Sequence, residues 1–143
     1  MVDESFVKIV NRKLAKKYMS VNRVTLVGFV GANPVVRYFD NGGCVASVSL
    51  GTKDSSYTLQ NGTVVPERTE WHNVIFWNKQ AELVDEHVHK GDKLYVEGKI
   101  QSRSYDDKNG VHRQVVEIMA HTVEFISSKE DTDDTSTVTT NQN

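Results

Sequence analysis

Cysteine occurs once in the 143 residues and proline twice. A lone thiol, Cys44, can close no internal disulfide, so the fold must rest on its own core, as suits a reducing cytoplasm. No apolar run approaches the length needed to cross a membrane. The opening MVDESFVKIVNRKL lacks the basic-then-apolar layout of a secretory signal. A dominant charge is missing too: 17 Lys and Arg against 19 Asp and Glu leave a net charge of −2. Bulk charge therefore does not announce a nucleic-acid binder. Any dealings with a polyanion must rest on local placement of charge or on contacts that are not ionic.

What is present is an ordinary composition, 38% hydrophobic and 25% charged, in a chain long enough for one domain with tails. Residues 1–19 hold five basic and two acidic side chains. Val7, Val10, Leu14 and Tyr18 recur there at helical spacing, which predicts a basic amphipathic helix. The end, SSKEDTDDTSTVTTNQN from Ser127, is polar and rich in Thr and Asp. Such a segment buries too little apolar surface to offset its ordering entropy and is expected to be disordered.

Between these zones, β-rich runs alternate with turn signals. RVTLVGFVG (Arg23–Gly31) reads as a strand in which Gly28 marks a bulge or bend. VVRYFDNGGCVASVSLG (Val35–Gly51) carries a hairpin turn at Asp40–Gly43. Residues 52–68 read as a long loop or a loosely paired hairpin arm, and Trp71–Trp77 as the next strand. Ala81, Leu83, Val84 and Val88 then predict a short helix, with Asn78 as N-cap and Gly91 as its stop. Leu94–Ile100, a turn at Asp106–Gly110 and Val111–Ile126 complete the series. The order β-β-β-α-β-β predicts an all-β domain with one short helix, a five-stranded Greek-key barrel of the OB type.

Nothing in the chain assembles a catalytic set. His72, His87, His89, His112 and His121 are scattered, and no pair has zinc spacing. Cys44, among Val, Ala and Ser, reads as a small strand residue rather than a nucleophile. Asn61-Gly62-Thr63 is a chance sequon without a signal. No glycine-rich loop precedes a helix as a phosphate-binding loop does. No enzyme, cofactor or metal is expected.

Aromatics carry the stronger signal. In a strand, Trp71, Asn73, Ile75 and Trp77 share one face and His72, Val74 and Phe76 the other. Val74 and Phe76 can fill the barrel, which leaves two indoles on the far side with a polar neighbour. Tyr57, in the long loop, and Tyr105, beside a turn, add aromatics among polar residues. Aromatics with neighbouring cations suit the stacking of unpaired bases. Arg37, Lys53, Arg68, Lys79, Lys99, Arg103 and Arg113 are the candidate phosphate contacts.

MSVNRVTLVGFVGANPVVRYFDNGG, TEWHNVIFWNK and HKGDKLYVEGKI, in that order, resemble the bacterial single-stranded DNA-binding proteins over about residues 19–126. The resemblance implies an OB-fold domain that assembles into a homotetramer and binds single-stranded DNA without sequence preference, in the bacterial cytoplasm and nucleoid. It implies base stacking on Trp71, Trp77, Tyr105 and an aromatic near Tyr57, and a subunit-interface role for His72. Residues 1–18 are then an extension: a basic arm, the product of a misread upstream start, or a leftover of cloning. Residues 127–143 match the family's acidic tail, but TTNQN replaces the phenylalanine tip that recruits replication and repair proteins, so recruitment through such a tip is not expected. Three rivals remain: an OB-fold accessory factor that mainly docks onto proteins, an oligomeric interaction module whose Trp face is an interface, and, in third place, an enzyme.

Overall fold

The structure, a computed structural model, describes residues 20–129. The basic helix expected within residues 1–19 and all but the first three residues of the expected tail lie outside that range. Among the described residues there are eight strands and one helix. These are β1 (Val24–Val30), β2 (Val35–Tyr38), β3 (Cys44–Asp54), β4 (Tyr57–Thr58), β5 (Val64–Val65), β6 (Arg68–Trp77), α1 (Lys79–His87), β7 (Lys93–Asp106) and β8 (His112–Ser127).

Alternation sets the inside of the barrel. Cys44, Ala46, Val48 and Leu50 of β3, Val74 and Phe76 of β6, Leu94 and Val96 of β7 and Ile118 of β8 form one buried cluster. Ala81, Val84 and Val88, from α1 and just after it, join the same cluster. The strands close in the order β1-β3-β6-β8-β7-β1, antiparallel except for β6 and β8, which run parallel at Val74↔Ile118 and Ile75↔Met119. This is the five-stranded Greek-key OB barrel that the element order predicts. β2 and β1 take successive stretches of one β3 edge, β2 along Cys44–Ser47 and β1 at Leu50 and Gly51.

Closure requires glycine where backbones meet. A Cβ on Gly28 would stand 2.3 Å from the Gly51 carbonyl oxygen, and one on Gly98 would stand 2.3 Å from that of Met119. Gly28 thus marks a close approach of β1 to β3. Gly98 accompanies a bulge: Glu97 pairs with Thr122 and Gly98 with Ala120, leaving His121 as the extra residue.

Several boundaries differ from expectation. β7 runs six residues past Ile100, paired to β8 throughout, and its outer half is exposed on both faces. Backbone pairing rather than burial holds that arm, so no apolar period betrays it. Residues 52–68 extend β3 to Asp54 and then form the small β4–β5 ladder around Asn61-Gly62, with Gly62 at φ 87°. Asn78 holds the expected N-cap position, its carbonyl accepting the Glu82 N–H at 3.0 Å, but its side chain does not cap. It turns the chain out of β6 at φ 52°, and its Oδ1 accepts from the Cys44 N–H at 3.3 Å, tying the turn to β3. Gly91 does not stop the helix either. Val88 is already extended, and Gly91, at φ 94°, donates its N–H to the Val30 carbonyl at 2.8 Å.

At the β7–β8 tip, Asp107 Oδ1 accepts the N–H groups of Asn109 and Val111, each at 2.9 Å, and Oδ2 accepts Arg113 Nε at 3.0 Å. The backbone bond from Val111, then Arg113, holds the Asp107 carboxyl below its ordinary value of 3.8. A carboxyl with a lowered folded pKa stabilises the fold above the unfolded value, and that contribution is lost as pH falls through the folded one.

Two outcomes follow from this geometry. Gly28→Ala and Gly98→Ala should each destabilise by about 1–3 kcal/mol through overpacking, read as a lower urea midpoint at unchanged slope. Unchanged midpoints would mean that the strands part freely there. Asp107→Asn should lower stability at neutral pH and respond less to acid below pH 3.8. An acid response equal to that of the parent chain would remove Asp107 from the account.

Candidate nucleic-acid interface

Register gathers most of the candidate residues on one outer face. Arg37 lies opposite Val45, and Val45 opposite Trp77. Ile75 pairs with Met119, and Met119 with Lys99. Two and six residues further along β7, Gln101 and Tyr105 face Glu117 and Arg113, with Arg103 between them. Since side chains two apart share a face, Arg37, Trp71, Trp77, Lys99, Arg103, Tyr105 and Arg113 all stand on the side away from the core. Lys53 belongs to the same face through the pair Lys53↔Thr69. Arg68 does not: it is paired with Asp54 and shares parity with His72. Tyr57 sits on the β4–β5 ladder outside the main sheet, and Lys79 opens α1.

β6 is therefore two-sided. Val74 and Phe76 are fully buried, whereas Trp71 is 57% and Trp77 47% exposed. Trp71 lies across bare backbone: a Cβ on Gly31 would come within 2.4 Å of its ring, and one on Gly51, directly opposite it in the ladder, within 2.8 Å. These glycines make a bed on which the indole can lie flat. Trp77 stacks on Phe39, with ring centroids 6.4 Å apart and planes at 22°. Between Trp77 and Arg103 runs a groove of about 550 Å³, floored by Ile75 and Met119 and flanked by Arg37.

Three of the five cations on this face are balanced within the chain. Lys53 pairs with Glu67 at 3.0 Å, Arg113 with Asp107 at 3.0 Å and Arg103 with Glu117 at 2.6 Å, while Arg68, on the other side, pairs with Glu70 at 3.1 Å. The bond to Glu117 holds the Arg103 pKa up. Among the described residues, Arg37, Lys79 and Lys99 make no ion pair. The guanidinium carbon of Arg103 also lies 5.5 Å from the Tyr105 ring centroid, within cation–π range. His72 is half-buried, and its Nε2 is hydrogen-bonded to Thr52 Oγ1 at 2.8 Å.

The sequence model of the Single-strand binding protein family matches residues 21–126. The chain belongs to this family. A single-stranded DNA-binding protein of Bacteroides thetaiotaomicron is 56% identical over 111 residues, 78% of this chain and 69% of that protein. One from Neisseria meningitidis serogroup B is 40% identical over 111 residues, 78% of this chain and 63% of its own length. Among solved structures, the Plasmodium falciparum SSB complex with ssDNA superposes with a TM-score of 0.69 at 26% identity, over 78% of this chain and 99% of that one. A deletion mutant of the single-stranded DNA binding protein from Thermus aquaticus gives 0.63 at 25% identity, over 75% and 51%.

In this single-strand binding family member, sequence reasoning passed over Phe39, although an aromatic beside a glycine turn is the signal that singled out Tyr105. It named Asn73 only as a polar neighbour of the indoles and passed over Glu117, because strand polarity alone does not say which polar groups will meet. Nor is Tyr38 a free aromatic. Its hydroxyl donates to Asp85 at 2.6 Å, and that bond pushes its pKa up to about 12.

The two sides of β6 predict opposite responses to truncation. Phe76→Ala should cost about 3–5 kcal/mol of stability, the range for a buried aromatic. Trp71→Ala and Trp77→Ala should cost about 1 kcal/mol or less by the same urea titration. Large losses for the tryptophans would place the indoles in a core.

Proposed function

We propose that this chain binds single-stranded DNA without sequence preference and protects it during replication, repair and recombination, with no catalytic step. The observation that carries the reading is one sheet face bearing two half-exposed indoles and Tyr105 while the same strands fill the barrel behind it. Each base has a π-face, so stacking on such a row is tolerant of sequence and is worth roughly 1–3 kcal/mol per base. The names of the Bacteroides and Neisseria relatives support it. Trp71, Trp77, Tyr105 and, from its outlying ladder, Tyr57 are the stacking positions. Arg37, Lys53, Lys79, Lys99 and Arg113 are the phosphate contacts, with Arg68 a peripheral one.

The binding domain is residues 19–126, flanked by the basic extension 1–18 and the acidic tail 127–143, and the working unit is a homotetramer with His72 at a subunit contact. The place of action is the bacterial cytoplasm and nucleoid. Among the described residues, no helix is long and apolar enough to cross a membrane.

The test is binding of oligo-dT by fluorescence anisotropy, beside the oligomeric state from sedimentation. Trp71→Ala and Trp77→Ala should each weaken binding roughly tenfold to a hundredfold and leave the assembly intact. An oligomer that falls apart while binding persists would make the Trp face an interface instead. Because so many cations already have acidic partners, the plot of log K against log salt should be shallow, well under one ion released per nucleotide covered. A slope near one ion per nucleotide would contradict stacking as the main source of affinity.

A further inference from the structure

Among the described residues, Glu117 is the one buried carboxylate on the candidate face, in the middle of β8 and directly across from Gln101. Its side chain is 8% exposed, against 57% for Arg103. Oε1 accepts Arg103 Nε at 2.6 Å and Oε2 accepts Asn73 Nδ2 at 3.4 Å. Asn73 Oδ1 in turn accepts the Ser47 hydroxyl at 2.8 Å. A polar line thus crosses β3, β6, β8 and β7 in order and ends at the guanidinium beside Tyr105.

This pair differs in kind from its neighbours. Glu67 and Glu70 are about 60% exposed, so either can return to water when its cation turns to a phosphate, and Asp107, 19% exposed, keeps the N–H groups of Asn109 and Val111 when Arg113 turns away. Glu117 has no such exit. Drawing Arg103 away would leave a carboxylate shut from water beneath the path of a polyanion, the costliest arrangement available to it.

We propose that Glu117 is a positioning residue that keeps Arg103 out of ionic contact with DNA. In free and bound states alike the counterion of Arg103 is this carboxylate, and the arginine serves as a fixed plane beside Tyr105. The pair adds no net charge to the face. The inference rests on the single-stranded DNA-binding reading and removes Arg103 from the phosphate contacts that the sequence suggested.

The experiment is a salt series of oligo-dT binding for the full chain, Glu117→Gln, Arg103→Met and the double variant Arg103→Met/Glu117→Gln. Each phosphate neutralised on a single strand contributes about −0.7 to the slope of log K against log salt. Glu117→Gln keeps the shape and frees the charge, so its slope should steepen by about 0.7 and its affinity should rise several-fold at low salt only. The double variant should keep the parental slope. Arg103→Met alone should bind more weakly than the double, with the carboxylate left unbalanced. An unchanged slope for Glu117→Gln, or a double variant shallower than the parent, would show Arg103 already on a phosphate and overturn the proposal. Should Glu117→Gln unfold, the ¹⁵N resonance of Arg103 Nε–H in the parent decides: it should stay in place through the DNA titration, and a shift to free-arginine values would overturn the idea. Failure of the parent chain to prefer oligo-dT over duplex would instead remove the binding reading itself.

Discussion

Barrel closure depends on a contact between bare backbones, where a Cβ on Gly28 of β1 would lie 2.3 Å from the Gly51 carbonyl oxygen of β3. The pairs Phe29↔Gly51 and Val30↔Leu50 form only because nothing stands between the two strands there. With that seam shut, the apolar faces of β3, β6, β7 and β8 enclose one core. The same Gly51 presents its other side to Trp71, which lies across it and Gly31. One glycine therefore serves both the closing of the barrel and the bedding of an exposed indole.

The placement of both tryptophans on one side of β6 follows from this division of labour. Val74 and Phe76 fill the interior, and α1 covers the barrel with Ala81 and Val84 rather than crossing the Trp face. That face is left to solvent, with Phe39 propping Trp77 and a polar line from Ser47 to Arg103 between the aromatic stations. Three of its five cations are matched by acids from the same chain, which agrees with a net charge of −2 and shifts the expected source of affinity from ion pairing toward stacking.

Much of this was legible in the residues. Apolar alternation and glycine turns place every strand of the barrel, and the parity of Trp71 and Trp77 against Val74 and Phe76 locates the outer face. What escaped depends on partners far away in sequence. The outer half of β7 is held by β8 across a hairpin rather than by burial, so QSRSYD shows no period. Asn78 takes the N-cap position its residue type suggests, yet its carboxamide is claimed by Cys44, 34 residues away. Arg68 and Arg113 look alike as surface cations, and only ladder register separates the faces they occupy. Glu117 reads as one acid in a strand until Arg103 and Asn73 are seen to converge on it.

The central claim is that the exposed indoles meet unpaired bases directly. Intrinsic tryptophan fluorescence, followed during titration with oligo-dT and with a duplex of equal length at low and high salt, tests it without altering the protein. Strong quenching by the single strand alone, persisting in high salt, is the predicted result. Little quenching from a folded chain, or quenching that high salt abolishes, would contradict stacking as the basis of recognition.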